Sequence, residues 1–254
     1  MLSRAETRLI YALQQRKGRE TKGLFLAEGV RVVEELLRSN IDLDFAAVAT
    51  SLEDSDRGAH LRRALQERCA VHELSDRDLN AQSATEQPQG VLVVARVPVF
   101  QLADLRPEAR SAVLVVDAVQ DPGNLGTLIR TADAFAATFI AVLPGSVDPW
   151  NAKVVRASAG STFHLPIVQT GVDSLSEWLI AHTHELWGAD LNGEDVSAIA
   201  RPDRVALAVG NEGAGLRDET RARVNRSVSI GMAGRAESLN VSVAAGILMY
   251  LLTR

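Results

Sequence analysis

A few polar residues stand out because each is set in an apolar or glycine-rich stretch. They are Asn124 and Arg130 in DPGNLGTLIRTADAF, Glu212 in LAVGNEGAGL, and Ser238 and Asn240 just ahead of VSVAAGILMYLL. Arg130 falls in a largely apolar helix start, where an unpaired charge is costly, so a carboxylate or a phosphate is expected beside it. A structural salt bridge and a substrate contact both fit that pattern. Asn124 reads as a turn residue or as a contact to a ligand. The glycines Gly210, Gly213 and Gly215 allow positive φ or a close approach of a ligand to the backbone. GNEGAG lacks the lysine of a P-loop and is not GxGxxG. Glu212 repels a polyphosphate, so a neutral or cationic ligand, or a network with Arg130, suits this loop better. Ser238 or Asn240 can cap the terminal helix, because a short polar side chain satisfies free backbone N–H groups at a helix start.

The elements around these residues follow from hydrophobic periodicity. Residues 1–97 alternate helices and short strands: a helix near Thr7–Gln15, a polar link KGRETKG, LFLAEG as a strand, VRVVEELLRSN as a helix, and further alternation up to the apolar strand GVLVVARVP. This predicts a small α/β domain. PVFQLADLRPEAR, residues 98–110, reads as a linker. From residue 111 to 254 the alternation resumes with SAVLVVDAV, and DPGNLG reads as the loop before the helix TLIRTADAF. Fully apolar strands of this kind predict a parallel sheet covered on both faces. Ligands of such sheets bind beyond the carboxyl ends of the strands, and the glycine-rich loops at 121–126, 210–215 and 231–234 all follow apolar strands, so a shared rim is expected.

Bulk properties exclude several classes. The net charge of -5 over 254 residues rules out a blanket polyanion binder, yet residues 1–23 carry Arg4, Arg8, Arg16, Lys17, Arg19 and Lys22 against only Glu6 and Glu20. Such a segment is either a phosphate contact or a solvated face. The single cysteine, Cys69, excludes an intrachain disulfide and a thiolate metal cluster. None of the five histidines has metal-ligand spacing, and His182 and His184 read as surface residues, so no metal is expected. There is no GxSxG elbow. MLSRAETRLI lacks the apolar core of a signal peptide and no run is long enough for a membrane helix, so a cytoplasmic location is expected.

Taken in order, DPGNLGTLIRTADAF, LAVGNEGAGL and SIGMAGRAESLNVSVAAGILMY resemble the three motifs of the SpoU/TrmH branch of the SPOUT superfamily, the RNA 2′-O-ribose methyltransferases. Gly231 stands where many members carry proline. RETKGLFLAEGVRVVEELL more loosely resembles the substrate-binding α/β domain of ribosomal RNA members. The resemblance implies a parallel-sheet domain with a deep trefoil knot over residues 111–254, preceded by an RNA-binding domain over 1–97. It implies S-adenosylmethionine held by Gly210, Ile230 and Leu239, a polar catalytic cluster of Asn124, Arg130, Glu212, Ser238 and Asn240, and a homodimer. The implied activity is methyl transfer to a ribose 2′-hydroxyl of RNA, ribosomal in preference to transfer RNA because of the extra domain. A non-catalytic RNA-binding or ribosome-assembly protein on the same scaffold is the alternative. A dehydrogenase is disfavoured by the missing dinucleotide fingerprint.

Overall fold

A computed structural model describes residues 1–83 and 88–254. Contacts divide the chain into two compact units, Met1–Pro98 with Asp148–His164, and Val99–Val147 with Leu165–Arg254.

The first unit opens with α1 (Arg4–Leu13) and α2 (Arg16–Lys22), followed by β1 (Leu24–Glu28), α3 (Val30–Arg38), β2 (Leu43–Ala49), α4 (Asp56–Gln66), β3 (Ala70–Leu74), α5 (Asp76–Gln82) and β4 (Val91–Arg96). Among the described residues its sheet has the order β1-β4-β2-β3, with only β2 and β3 parallel. Its core combines Phe25, Val33, Leu36 and Val93 with Trp150 and Val155, two residues supplied by the later segment. The stretch expected as a polar link is instead α2, a helix closed by Gly23 in the left-handed region at φ 63°. It buries Arg19, whose guanidinium donates to Asp148 Oδ2 at 2.6 Å and to the Leu13 carbonyl at 2.8 Å. Arg19 is therefore a structural cation and cannot be one of the surface contacts of the basic segment.

The second unit starts with β5 (Ser111–Val116), α6 (Pro122–Ala134) and β6 (Phe139–Val142). The chain then supplies α7 (Ala152–Ala157) to the first unit before continuing with β7 (Ile167–Gln169), α8 (Val172–Ala181), β8 (Glu185–Asp195), β9 (Arg204–Val209), α9 (Asp218–Arg221), β10 (Arg226–Ser229) and α10 (Val241–Thr253). The sheet order is β10-β8-β9-β5-β6-β7, and every pairing is parallel. β5, in the middle, is buried along its whole length, as its unbroken apolar run requires. DPGNLG is not a free loop. Asp121 caps α6 by accepting from the Asn124 N–H at 2.7 Å, and Pro122 occupies the first helical turn. Asn240 caps α10, which packs on α6 and β9.

His184 is not a surface residue. It is 6% exposed, immediately before β8, with Nε2 2.8 Å from the Ser111 hydroxyl. Burial, reinforced by the Arg204 charge, lowers its pKa from 6.5 to about 4. The unfolded chain therefore takes up a proton below pH 6.5 that the folded chain refuses until about pH 4. Stability present above pH 6.5 is lost as the pH falls toward 4, by an amount on the order of 3 kcal/mol at most. Urea denaturation of the parent and of His184→Gln between pH 7.5 and 4.5 checks this, since the variant should lose much less of its stability over that window.

Candidate active site

The site is assembled at the carboxyl edge of the parallel sheet. β5 and β9 are neighbours with Val116 opposite Val209, so Asp117 and Gly210 emerge side by side. Asp117 is fully buried. One carboxylate oxygen accepts from the Arg217 backbone N–H at 2.9 Å and the other from its Nε at 2.5 Å. A buried carboxylate needs such partners, and this pair ties the far end of the 210–217 loop to β5. Asn211 shapes the loop from within: its side-chain Oδ1 accepts from the N–H groups of Gly213 and Ala214 at 3.0 and 3.1 Å, and its Nδ2 donates to the Ala118 carbonyl at 3.3 Å. Gly210 has no room for a side chain, because a Cβ there would lie 2.2 Å from the Gly215 carbonyl carbon.

This loop presents Glu212 to the first turn of α6. Asn124 Nδ2 donates to Glu212 Oε1 at 2.5 Å. Asn240 Nδ2 donates to Asn124 Oδ1 at 3.0 Å, and Asn240 Oδ1 accepts from the Ser242 N–H at 2.9 Å. The Ser242 hydroxyl lies 3.2 Å from both oxygens of Asn124. Asn124, Glu212 and Asn240, widely spaced in the chain, thus form one hydrogen-bonded row. The partner of Glu212 is Asn124, not Arg130.

A cavity of about 440 Å³ adjoins this row. Gly210, Ile230 and Leu239 line it, together with Glu212 and Ser238, and Leu248 of α10 closes one wall. Its size falls within the range of about 300–1,000 Å³ typical of small-molecule sites. The apolar side chains of Ile230, Leu239 and Leu248 suit an adenine ring, and the carboxylate of Glu212 suits a ligand with positive charge, so these residues fit S-adenosylmethionine. Among the described residues no cluster of potential metal ligands occurs.

Arg130 stands apart. Six residues of helix turn its side chain through about 240° from Asn124 and carry it about 9 Å along the axis. It is exposed, in the body of α6 and not at its start, and among the described residues it has no hydrogen bond or ion pair. The burial cost that suggested a partner for it does not arise. Ser238 borders the cavity outside the hydrogen-bonded row. Sequence reasoning missed Asp117, Arg217 and Ser242. An aspartate ending an apolar strand was a readable signal for the first, whereas Arg217 had none.

Sheet, loops and cavity together define a SpoU-type methylase domain carrying an added substrate-binding domain. Residues 111–250 match the SpoU rRNA Methylase family and residues 5–93 match the MRM3-like substrate binding domain. The chain belongs to the SpoU rRNA methylase family. It is 36% identical over 239 residues, 94% of this chain and 92% of the relative, to the 23S rRNA (guanosine(2553)-2′-O)-methyltransferase RlmP of Bacillus subtilis (strain 168). Among solved structures it is similar to the SpoU methyltransferase AviRb of Streptomyces viridochromogenes in complex with AdoMet, with 29% identity, a TM-score of 0.90 and coverage of 99% and 97% of the two chains. It is also similar to an AdoMet-bound rRNA methyltransferase from Sinorhizobium meliloti, with 30% identity, a TM-score of 0.86 and coverage of 99% and 95%. These relatives support the parallel-sheet SPOUT fold, and the observed strand order is compatible with the trefoil knot that the sequence resemblance implies.

Gly210→Ala should displace the loop that walls the cavity. Calorimetry with S-adenosylmethionine is expected to show affinity lowered at least about tenfold, because the added Cβ cannot be accommodated without moving backbone. Unchanged affinity would mean that Gly210 does not shape the cofactor site.

Proposed function

We propose that this chain transfers a methyl group from S-adenosylmethionine to a ribose 2′-hydroxyl of ribosomal RNA, acting as a homodimer in the cytoplasm. The observation that carries this reading is the meeting of Asn124, Glu212 and Asn240 beside a cavity walled by Gly210, Ile230 and Leu239. The rRNA methyltransferases among its relatives support the substrate class, and a cytoplasmic ribosomal substrate accounts for the location.

When bound, S-adenosylmethionine supplies a methyl group on a positively charged sulfur. The residues of the chain have to hold and position. Gly210, Ile230 and Leu239 line the space for the cofactor. Asn240 and Asn124 fix the Glu212 carboxylate through a row of amide donors, so an acceptor of fixed direction stands at the cavity mouth for a hydroxyl or ammonium donor. Ser238, beside it, offers a hydroxyl to the incoming ribose. Arg130, which stands apart from the row in its own protomer, acts on the site of the partner subunit in the proposed dimer: its planar fork grips the phosphate next to the target ribose and stabilises negative charge developing on the 2′-oxygen as its proton leaves. A guanidinium offers five N–H donors and no acceptor, so it is not a simple general base. Residues 1–97 act as the RNA-binding part and 111–254 as the catalytic part, joined by 98–110.

The dimer reading rests on α10. One side packs on α6 and β9, yet Val243, Tyr250 and Leu251 remain 51%, 36% and 39% exposed. Apolar residues grouped on one exposed helix face mark an interface. Light scattering is expected to give a dimer mass for the parent and a monomer mass for Val243→Asp/Leu251→Asp. A monomeric parent at micromolar concentration contradicts the proposal.

Ribosomal RNA, labelled cofactor and mapping of 2′-O-methyl positions test the activity. Arg130→Ala should keep its cofactor affinity while single-turnover methylation falls by about 100- to 1,000-fold, the usual consequence of removing one electrostatic contact to a transition state. Arg130→Lys should also be impaired, because it keeps the charge and loses the fork. RNA binding without methyl transfer in the parent would favour the assembly-protein alternative.

A further inference from the structure

The basic start of the chain takes on a definite shape once α1 and α2 are in place. Arg19 is buried against Asp148, and Arg16 pairs with Glu20. Glu6, the only acid of α1, is held by the helix start: it accepts from the Ser3 N–H at 2.6 Å in a capping box and lies 2.9 Å from His72 Nε2. What remains on the open side of α1 is Arg4, Arg8 and Tyr11. At about 100° per residue these three fall within about 60° of arc, so they form one strip along the helix. All three are exposed, Tyr11 to 71%, and among the described residues none of their side chains has a hydrogen bond or ion pair. No acid shares the strip.

The strip has no evident use in the fold. A cation in the first helical turn, as Arg4 is, opposes the helix dipole. A tyrosine ring left in water gives up the burial that aromatic side chains ordinarily contribute. Two free guanidinium groups beside a free aromatic face are the complement of a nucleotide chain, because the ring stacks on a base and the cations meet the phosphates on either side.

We propose that the strip Arg4–Arg8–Tyr11 docks an unpaired stretch of RNA, with Tyr11 stacked on a base and the two arginines on neighbouring phosphates. The proposal rests on the reading that this chain acts on RNA, and adds that part of the substrate is single-stranded where it meets α1. A base in a paired helix is already stacked on both faces and is closed to Tyr11, so the strip selects loops or ends over duplex.

Fluorescence anisotropy with the full-length protein tests this, using a labelled oligouridine 12-mer and an RNA duplex of the same length as probes. Tyr11→Ala should weaken binding of the 12-mer by roughly tenfold, the order found when one stacking aromatic is removed. It should leave duplex binding unchanged, and Tyr11→Phe should bind like the parent. Arg4→Gln/Arg8→Gln should lower the slope of log affinity against log salt by about 1.4, since each phosphate contact on a single strand contributes about 0.7. Circular dichroism and thermal unfolding, measured in parallel, report whether each variant is folded.

Equal affinity of Tyr11→Ala and parent for the 12-mer overturns the proposal, and so does an equal loss for 12-mer and duplex. If no variant changes RNA binding, the strip is a surface for another protein or for solvent. Ribosomal RNA methylation by the parent separates the two readings. A parent that methylates, with variants that bind the 12-mer normally, removes the strip alone. A parent that methylates no RNA removes the function proposed above.

Discussion

The site depends on the fact that an asparagine side chain is a donor and an acceptor at once. Asn124 receives a hydrogen bond from Asn240 on its oxygen and gives one to Glu212 from its nitrogen. The orientation of each amide follows from the next. Asn240 uses its oxygen to cap α10, so only its nitrogen can turn to Asn124. Glu212 accepts from Asn124 through a carboxylate oxygen and so ends the row. An aspartate at 124 would lose the donor and place like charges together, and a leucine would leave both neighbours without a partner. The first turn of α6, the 210–217 loop and the start of α10 are registered on one another by a side chain for which no other residue type of that length substitutes.

That registration would be loose if the loops themselves could drift, and the Asp117–Arg217 pair is what limits them. The carboxylate is fully buried and the guanidinium only partly so, and the backbone N–H of Arg217 is engaged as well as its side chain. Removing Arg217 leaves the buried Asp117 charge uncompensated at the end of a central strand, a more serious loss than breaking a surface pair. The loop between is drawn tight by the reciprocal hydrogen bonds of Asn211 and Gly215, both 2.9 Å, against a Gly210 that tolerates no side chain. Strand order does the rest, because β5 and β9 are adjacent although far apart in sequence.

What could be read from the sequence follows the range of the forces involved. The strands of the second unit were legible because full burial in a parallel sheet leaves an unbroken apolar run, and Asn124, Glu212 and Asn240 were legible as polar residues in places where composition did not call for them. Their meeting was implied only by the family resemblance and not by local pattern, since it depends on which strands are neighbours. The helix α2 was hidden because KGRETKG is polar throughout, and its reason for being ordered, Asp148 against Arg19, lies 129 residues away. The membership of residues 148–164 in the first unit was hidden for the same reason: locally they show only a helix and a glycine at positive φ. His184 looked like part of a polar turn, and its burial is decided by Ser111 and Trp178, which the local pattern does not contain.

Arg130 is instructive because among the described residues it has no partner, whereas Asn124, Glu212 and Asn240 are engaged with one another. An arginine held in an internal ion pair would have to break it before gripping a phosphate, and the cost of that exchange would be subtracted from binding. Exposed on the body of α6, it has no buried charge to compensate and loses only the mobility of its side chain when an anion arrives. The fixed row and the free cation therefore suit different tasks. Asn124, Glu212 and Asn240 must already be in place when the reactants meet, since rearranging them would add to the barrier. Arg130 must answer to a chain of phosphates that is present only when RNA is bound, and a side chain left open to solvent can do that without disturbing the site.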